Sequence, residues 1–401
     1  MNKKIYSLLL LSFIGVKAFS QDEGSKGFSF AQKQTDVMFK EIADAKAKSG
    51  KTNLVSPRTL DANSNLVLVP SKDWCSGFFP GELWYLYEYT KNNKWLDEAR
   101  TYTAPIEQEK TNGGTHDMGF KIYCSVGNGY RLIHDEHYKE VILEAAKTLS
   151  SRFNPTVGCI KSWDNRPKWK FPVIIDNMMN LELLFAATHI SGDSSYYKMA
   201  VSHANTTMKN HFRADYSSYH VVDYDPETGK VVHRQTHQGY ADESAWARGQ
   251  AWGLYGYTMC YRYTHNKAYL EQAENIARFI FNNPNMPKDL VPYWDFNAPG
   301  IPNEPRDASA AAVMASGLYE LSTYSKNGKQ YKDKADKIIK SLTDHYLAAP
   351  GQSRGFILLH STGSKPSNSE VDVPLSYADY YYLEALLRKA HLKAGVPVAK
   401  K

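Results

Sequence analysis

Apolar residues spaced three and four positions apart recur almost without interruption from residue 27 onward, and this pattern restricts the fold more than any other property of the chain. The spacing predicts helices over 27–49, 78–91, 94–111, 117–133, 135–152 and 176–191, then over 195–213, 246–263, 266–281, 308–324, 328–346 and 376–394. Twelve helices in six consecutive pairs leave two all-α architectures: a closed double ring, the (α/α)6 barrel, or an open helical solenoid. A solenoid needs a repeated consensus, and the sequence contains none. The expectation is therefore a single closed barrel over residues 21–401. Between the helices the sequence predicts a loop over Gly158–Lys170 and a small β-hairpin over His220–His233, whose turn Asp225-Pro-Glu-Thr-Gly229 has the Pro and Gly that a tight reversal needs.

In such a ring alternate helices form the inner layer and run parallel, so their N-termini open on one end. A binding site there would place unusual polar and aromatic residues at the starts of the even-numbered helices. The second begins Trp74-Cys-Ser-Gly-Phe-Phe-Pro-Gly-Glu-Leu-Trp84 and the fourth Thr115-His-Asp-Met-Gly-Phe120. The sixth opens with Ile175-Asp-Asn-Met-Met179, and the eighth with Asp242-Glu-Ser-Ala-Trp-Ala-Arg-Gly-Gln-Ala-Trp252. The tenth starts at Arg306-Asp307-Ala-Ser309, and the twelfth at Leu375-Ser-Tyr-Ala-Asp-Tyr-Tyr-Tyr382. The odd helices start with ordinary sequence. With 8 Trp, 28 Tyr and 16 Phe the chain has more rings than a core usually needs, and these helix starts are where the surplus would line a wet surface.

Asp117 and Asp176 are the sharpest pair. An Asp at a helix start is a favoured N-cap, accepting bonds from free backbone N–H groups. The apolar neighbours Ile174, Ile175 and Phe120 support a second reading, in which desolvation raises a carboxyl pKa into the range of a general acid. The helix dipole opposes that shift, so both readings stand. Arg248 lies between Trp246 and Trp252 and shares a helix face with Trp252. It either snorkels over a core Trp or offers a cation to a substrate carboxylate beside aromatic platforms. Gly249, Gly253 and Gly256 would allow close helix approach.

His116, His220 and His237 read as ligands, bases or polar loop residues. No HExxH or clustered His/Asp spacing supports a metal, and no GxSxG, P-loop or dinucleotide fingerprint stands in a suitable context. No metal and no cofactor is expected. Cys75, Cys124, Cys159 and Cys260 lack a CxxC pair, and their wide spacing favours buried free thiols over disulfides.

Lys3 and Lys4, the apolar run Ile5–Val16, and Ala18-Phe19-Ser20 before Gln21 read as a signal peptide over residues 1–20, which implies a periplasmic or secreted protein. No Cys at the cleavage point supports a lipid anchor, and no segment has the apolar length of a membrane span. Removing the leader takes away Lys3, Lys4 and Lys17, lowering the formal charge from +6 to +3. With no long basic run, nucleic acid is not an expected partner. The oligomeric state is left open.

Four segments, His116–Phe120, Ile174–Met179, Gln238–Trp252 and Tyr377–Ala385, together resemble the unsaturated glucuronyl hydrolases, glycoside hydrolase family 88. The likeness spans nearly the whole chain after the leader, and the Gln238–Trp252 segment is its most specific part. The resemblance implies an (α/α)6 barrel that removes a 4,5-unsaturated uronic acid from the non-reducing end of lyase-generated oligosaccharides. It also implies hydration of the C4=C5 enol ether, with Asp176 as general acid and base and Asp117 holding ring hydroxyls and assisting. His220, Gln238, Trp246, Arg248 and Trp252 match sugar-contacting residues of the family, and Trp163 an aromatic wall. Ser361, Ser364 and Lys365 fall where some relatives accept a sulfated second sugar, or form a flexible turn. The segment Gly77-Phe-Phe-Pro80 departs from the family, some of whose members place Trp there. Two alternatives remain: an unsaturated rhamnogalacturonyl hydrolase on the same barrel, and a non-catalytic periplasmic sugar-binding protein that would not need Asp176. A sugar epimerase is disfavoured, because it needs His residues on inner helix faces.

Overall fold

The structure, a computed structural model, describes residues 23–164 and 166–399. The expected signal peptide lies outside the described residues. Twelve α-helices follow in order: α1 (Glu23–Ser49), α2 (Phe78–Thr90), α3 (Asn93–Thr103), α4 (Asn128–Ile133), α5 (Glu136–Ser150), α6 (Asn177–Ser191), α7 (Ser194–Asn210), α8 (Ala247–Thr264), α9 (Lys267–Asn282), α10 (Ala308–Leu321), α11 (Gly328–Ser341) and α12 (Ser376–Ala394).

The even helices close into an inner ring. α2 packs on the π-helical turn Gly119–Gly127 that leads into α4, that turn on α6, α6 on α8, α8 on α10, α10 on α12, and α12 back on α2. The odd helices pack outside it, forming the (α/α)6 barrel. Sequence separates the two layers. Every residue of α10 is buried, and its run of Ala, Ser and Gly allows neighbours on all sides. By contrast α9 buries Tyr269, Gln272, Ala273, Ile276, Ala277 and Ile280 along one stripe, and α11 buries Tyr331, Ala335, Ile338 and Ile339 while Lys329 and Lys332 pair with Asp333 and Asp336 one turn on.

Three helix expectations are corrected. The segment 94–111 is α-helical only to Thr103 and continues as a 3-10 helix, Ala104–Thr111, where Pro105 has no N–H to donate to the preceding turn. The segment 117–133 is π-helical over Gly119–Gly127 before becoming α4, and 328–346 ends in a π-helical turn, Leu342–Tyr346.

The single expected hairpin is one part of a larger set of small sheets. Strands β6 (Val221–Tyr224) and β7 (Val231–Gln235) form it, and β5 (Phe171–Ile174) adds a third antiparallel strand beside β6. Three further two-stranded sheets are β1–β2 (Leu54–Leu60 with Leu66–Pro70), β3–β4 (Phe153–Asn154 with Cys159–Ile160) and β8–β9 (Ser361–Ser364 with Ser369–Val373). Pro57 interrupts the pattern of β1, and β8, Ser-Thr-Gly-Ser, has no apolar residue to show alternation. All four cysteines are free thiols; Cys75, Cys159 and Cys260 are buried, while Cys124 is only partly so. No described helix is long and apolar enough to cross a membrane.

Candidate active site

The inner-ring N-termini and the loops ahead of them enclose a cleft with an empty volume of about 590 Å³ including its mouth. Asp117, Asp176, Trp74, Trp163, Arg248 and Tyr377 are among its lining, and so is the β8–β9 hairpin through Gly363, Ser364, Ser369 and Glu370. Gly77 lets the start of α2 lie against the π-helical turn: a Cβ there would meet the carbonyls of Lys121 and Phe120 at 2.2 and 2.3 Å. That approach brings Trp74 and Phe120 into edge contact, with ring centroids 5.5 Å apart.

Asp176 occupies the N-cap position of α6, yet its side chain makes no capping bond. The capping reading therefore fails at this residue. The carboxylate is turned elsewhere, with side-chain exposure of 12% and His220 Nε2 lying 3.7 Å from its Oδ1. His220 is itself oriented by backbone: its Nδ1 accepts N–H bonds from His237 and Gln238, both at 3.1 Å. An imidazole nitrogen that accepts two bonds carries no proton, so the ring proton sits on Nε2 and faces Asp176. Burial holds His220 well below the ordinary histidine range, reinforced by the nearby His237 and Arg248, and keeps it neutral.

Burial also pushes the Asp176 carboxyl up to about 7. Arg248 pulls in the opposite direction, as does the indole N–H of Trp252, which approaches without meeting hydrogen-bond geometry; Asp117 pushes it further up. A carboxyl balanced at that value can give and take a proton near neutral pH. Asp117 is more exposed. Its Oδ2 accepts a 2.8 Å bond from Thr115 Oγ, and the buried His116 Nε2 stands 3.4 Å from its Oδ1. It too is turned away from the amides of the following turn.

Arg248 is almost wholly buried while still lining the cleft. Its Nη1 donates to Asp307 Oδ2 and to the Thr362 carbonyl, both at 2.6 Å, and its Nη2 donates to the Gly363 carbonyl at 2.5 Å. Asp307 caps α10 with its other oxygen, through Ser309 N and Ala310 N. The guanidinium lies over Trp246 and Tyr377, at 4.5 and 5.3 Å from the ring centroids. Gln238 Nε2 adds a 3.1 Å bond to the same Gly363 carbonyl. The two side chains thus fasten the β8–β9 hairpin to the carboxylate end of the cleft.

The structure brings Asp117, Asp176, Gln238, Arg248, Trp163 and Ser364 together on the lining. His220, Trp246 and Trp252 stand behind it. Trp246 is 3% exposed and packs on His220, with centroids 4.6 Å apart, while Trp252 is fully buried against Phe120 and Tyr381. The tryptophans that line the cleft with part of their surface exposed are Trp74 and Trp163, the latter set edge-on to His237 at 5.3 Å. Ser361 is buried and accepts from Ser309 N, so it faces the barrel and not the cleft. Lys365 lies at the hairpin tip, beyond the lining. Sequence reasoning missed Arg58 and Glu370, which line the cleft and pair directly with each other. A lone Arg within the apolar β1 run was the only signal for the first, and Glu370 carried none. Among the described residues no group of three or more His, Cys, Asp or Glu gathers where it could hold a metal.

The chain matches the profile of Glycosyl Hydrolase Family 88 over residues 53–391. It is 48% identical over 402 residues to the unsaturated glucuronyl hydrolase of Formosa agariphila, covering 98% of this chain and 99% of that protein. It superimposes on the crystal structure of an unsaturated glucuronyl hydrolase specific for heparin with a TM-score of 0.88 and 47% identity, covering 95% of this chain and all of the other. A mutant unsaturated glucuronyl hydrolase from Streptococcus agalactiae complexed with dGlcA-GalNAc6S matches with a TM-score of 0.75 and 28% identity, over 96% of this chain and 97% of that one.

Proposed function

The chain belongs to glycoside hydrolase family 88 and is a glycosidase that releases unsaturated uronic acid from oligosaccharides, and from that premise we propose how its residues do so and on which sugars. The observation that carries the reading is Asp176: a buried, uncapped carboxyl held near neutrality on the cleft wall. In its protonated form it delivers the proton to C4 of the enol ether. Water adds at C5 and returns a proton to the carboxylate, so the acid is regenerated within the turnover. The resulting hemiketal opens, C1 becomes a hemiacetal, and the remaining oligosaccharide departs. Because the reacting carbons are C4 and C5, carboxylate spacing rules for attack at the anomeric carbon do not apply.

The neutral His220 keeps its Nε2–H toward Asp176 Oδ1 and so steadies the carboxylate as it ionises. Arg248 contributes its charge to the field at Asp176, and its bonds to Thr362 and Gly363 hold the wall against which the departing sugar lies. Asp117, accessible at the same lining, binds ring hydroxyls, and Trp163 and Trp74 offer faces to the sugar rings.

The substrates are unsaturated glucuronyl-hexosamine oligosaccharides of the kind glycosaminoglycan lyases produce. Support comes from the heparin-specific relative and from the dGlcA-GalNAc6S complex of a second one. The reading predicts that the ultraviolet absorbance of the enol ether disappears with enzyme, and that Asp176→Asn abolishes this while preserving the fold. Full activity in a folded Asp176→Asn variant would sink it, binding without turnover across a disaccharide panel would favour a sugar-binding protein, and a preference for galacturonyl-rhamnose would favour the rhamnogalacturonyl reading. The protein works in the periplasm or outside the cell, which N-terminal sequencing of the mature form, expected to begin at Gln21, would check.

A further inference from the structure

The cleft faces an anionic substrate with two arginines, and both are already matched by carboxylates of the protein. For Arg248 the partner is Asp307, fully buried and locked as a helix cap. Arg58 is different. Its Nη1 lies 2.9 Å from Asp73 Oδ2, while its Nε and Nη2 form a two-pronged pair with Glu370 at 2.5 and 3.0 Å. One guanidinium between two carboxylates leaves a surplus negative charge, and of those two carboxylates Glu370 is the one on the cleft lining.

The hairpin is shaped to keep Glu370 there. Gly363, across the hairpin on β8, has no side chain, and a Cβ at that position would meet Glu370 Oε2 at 2.5 Å and its Cβ at 2.8 Å. Glu370 itself has a left-handed backbone with φ of 55°, an uncommon conformation for a residue with a side chain. Its carboxylate therefore lies flat over Gly363, between the Arg58 fork and the carbonyl that Arg248 and Gln238 hold.

Resting on the hydrolase reading above, we propose that Glu370 is a specificity-determining residue. By filling the Arg58 fork and leaving a net negative wall, it selects against an anionic substituent, sulfate or carboxylate, on the sugar that leans on the β8–β9 hairpin. Arg58 is matched to planar anions by its fork of donors, and with Glu370 in place that fork is closed to the substrate.

The test compares unsaturated glucuronyl-hexosamine disaccharides with and without one sulfate on the hexosamine, in wild type and Glu370→Gln. The quantity read is the ratio of kcat/KM for the sulfated to the unsulfated sugar. Removing a like charge beside a bound anion is expected to raise that ratio at least ~10-fold, chiefly through KM. A ratio within twofold of wild type overturns the proposal, as does loss of turnover on both sugars in a folded variant, since Glu370 would then serve catalysis. Should Glu370→Gln fail to fold, Glu370→Ala carries the same test, because it removes the charge and leaves open space over Gly363. Failure of the underlying reading is distinct: wild type would then turn over neither disaccharide.

Discussion

Asp176→Asn should stabilise the protein while disabling it, and by an amount that depends on pH. In the folded state the carboxyl is pushed up to about 7 from its reference of 3.8, chiefly by burial. The folded protein therefore holds a proton that the unfolded chain has released. Its relative stability is greatest below the unfolded value and is lost as pH rises from about 4 through about 7, at roughly 1.4 kcal/mol per unit. The full loss is about 4 kcal/mol, of which more than half accrues between pH 5 and pH 8. Asparagine cannot ionise and escapes it. For a domain of this length the entropy of unfolding is roughly 0.8 kcal/mol per degree, so the melting-temperature advantage of Asp176→Asn over wild type should widen by about 3 °C between those two pH values. Differential scanning calorimetry of both proteins at both pH values reads this double difference, in which groups that titrate alike in the two proteins cancel. A gap that stays constant, or narrows toward pH 8, would refute the claim that Asp176 is held protonated by burial.

The same value sets the rate profile: turnover that depends on protonated Asp176 should fall about tenfold per pH unit above 7, with His220, held neutral by burial, adding no second limb near neutrality. Replacing Asp307 by Ala removes the cap of α10 and strands a buried guanidinium, so it should cost about 3–5 kcal/mol in urea unfolding and depress kcat/KM by loosening the β8–β9 wall. Asp307→Asn retains a cap oxygen and should cost less. Thiol titration of the unfolded, unreduced protein should find all four cysteines free, and reductant should leave the melting temperature unchanged; a shift would reveal a disulfide.

How much of the site the sequence disclosed follows from how each residue acts. Asp117, Asp176 and Arg248 stand in regular positions at helix starts, where local periodicity identifies them. Whether Asp176 is a cap or an acid depended on the direction of one side chain. The backbone geometry that turns it toward His220 arises from the packing of β5 and β6, where the Ile175 N–H bonds the His220 carbonyl. Trp246 and Trp252 were expected at the sugar because they flank Arg248. The packing of α8 against its neighbours turns them inward and leaves Trp74 and Trp163 facing the cleft. Arg58 and Glu370 are more than three hundred residues apart on short irregular strands, and no local pattern could have paired them.

The sequence alone determined the six helix pairs, the contrast between all-round apolar inner helices such as α10 and charged-stripe outer helices such as α11, and the end of the barrel that carries the chemistry. Each of these depends on periodicity within one helix, a property that neighbouring residues encode together. Tertiary structure alone decided which carboxyl is dehydrated, which nitrogen of His220 carries the proton, and which arginine fork is occupied. Those are questions of field and solvent access at a point, and that point is surrounded by residues from β1, β5, α8, β8, β9 and α12, which only ring closure brings together.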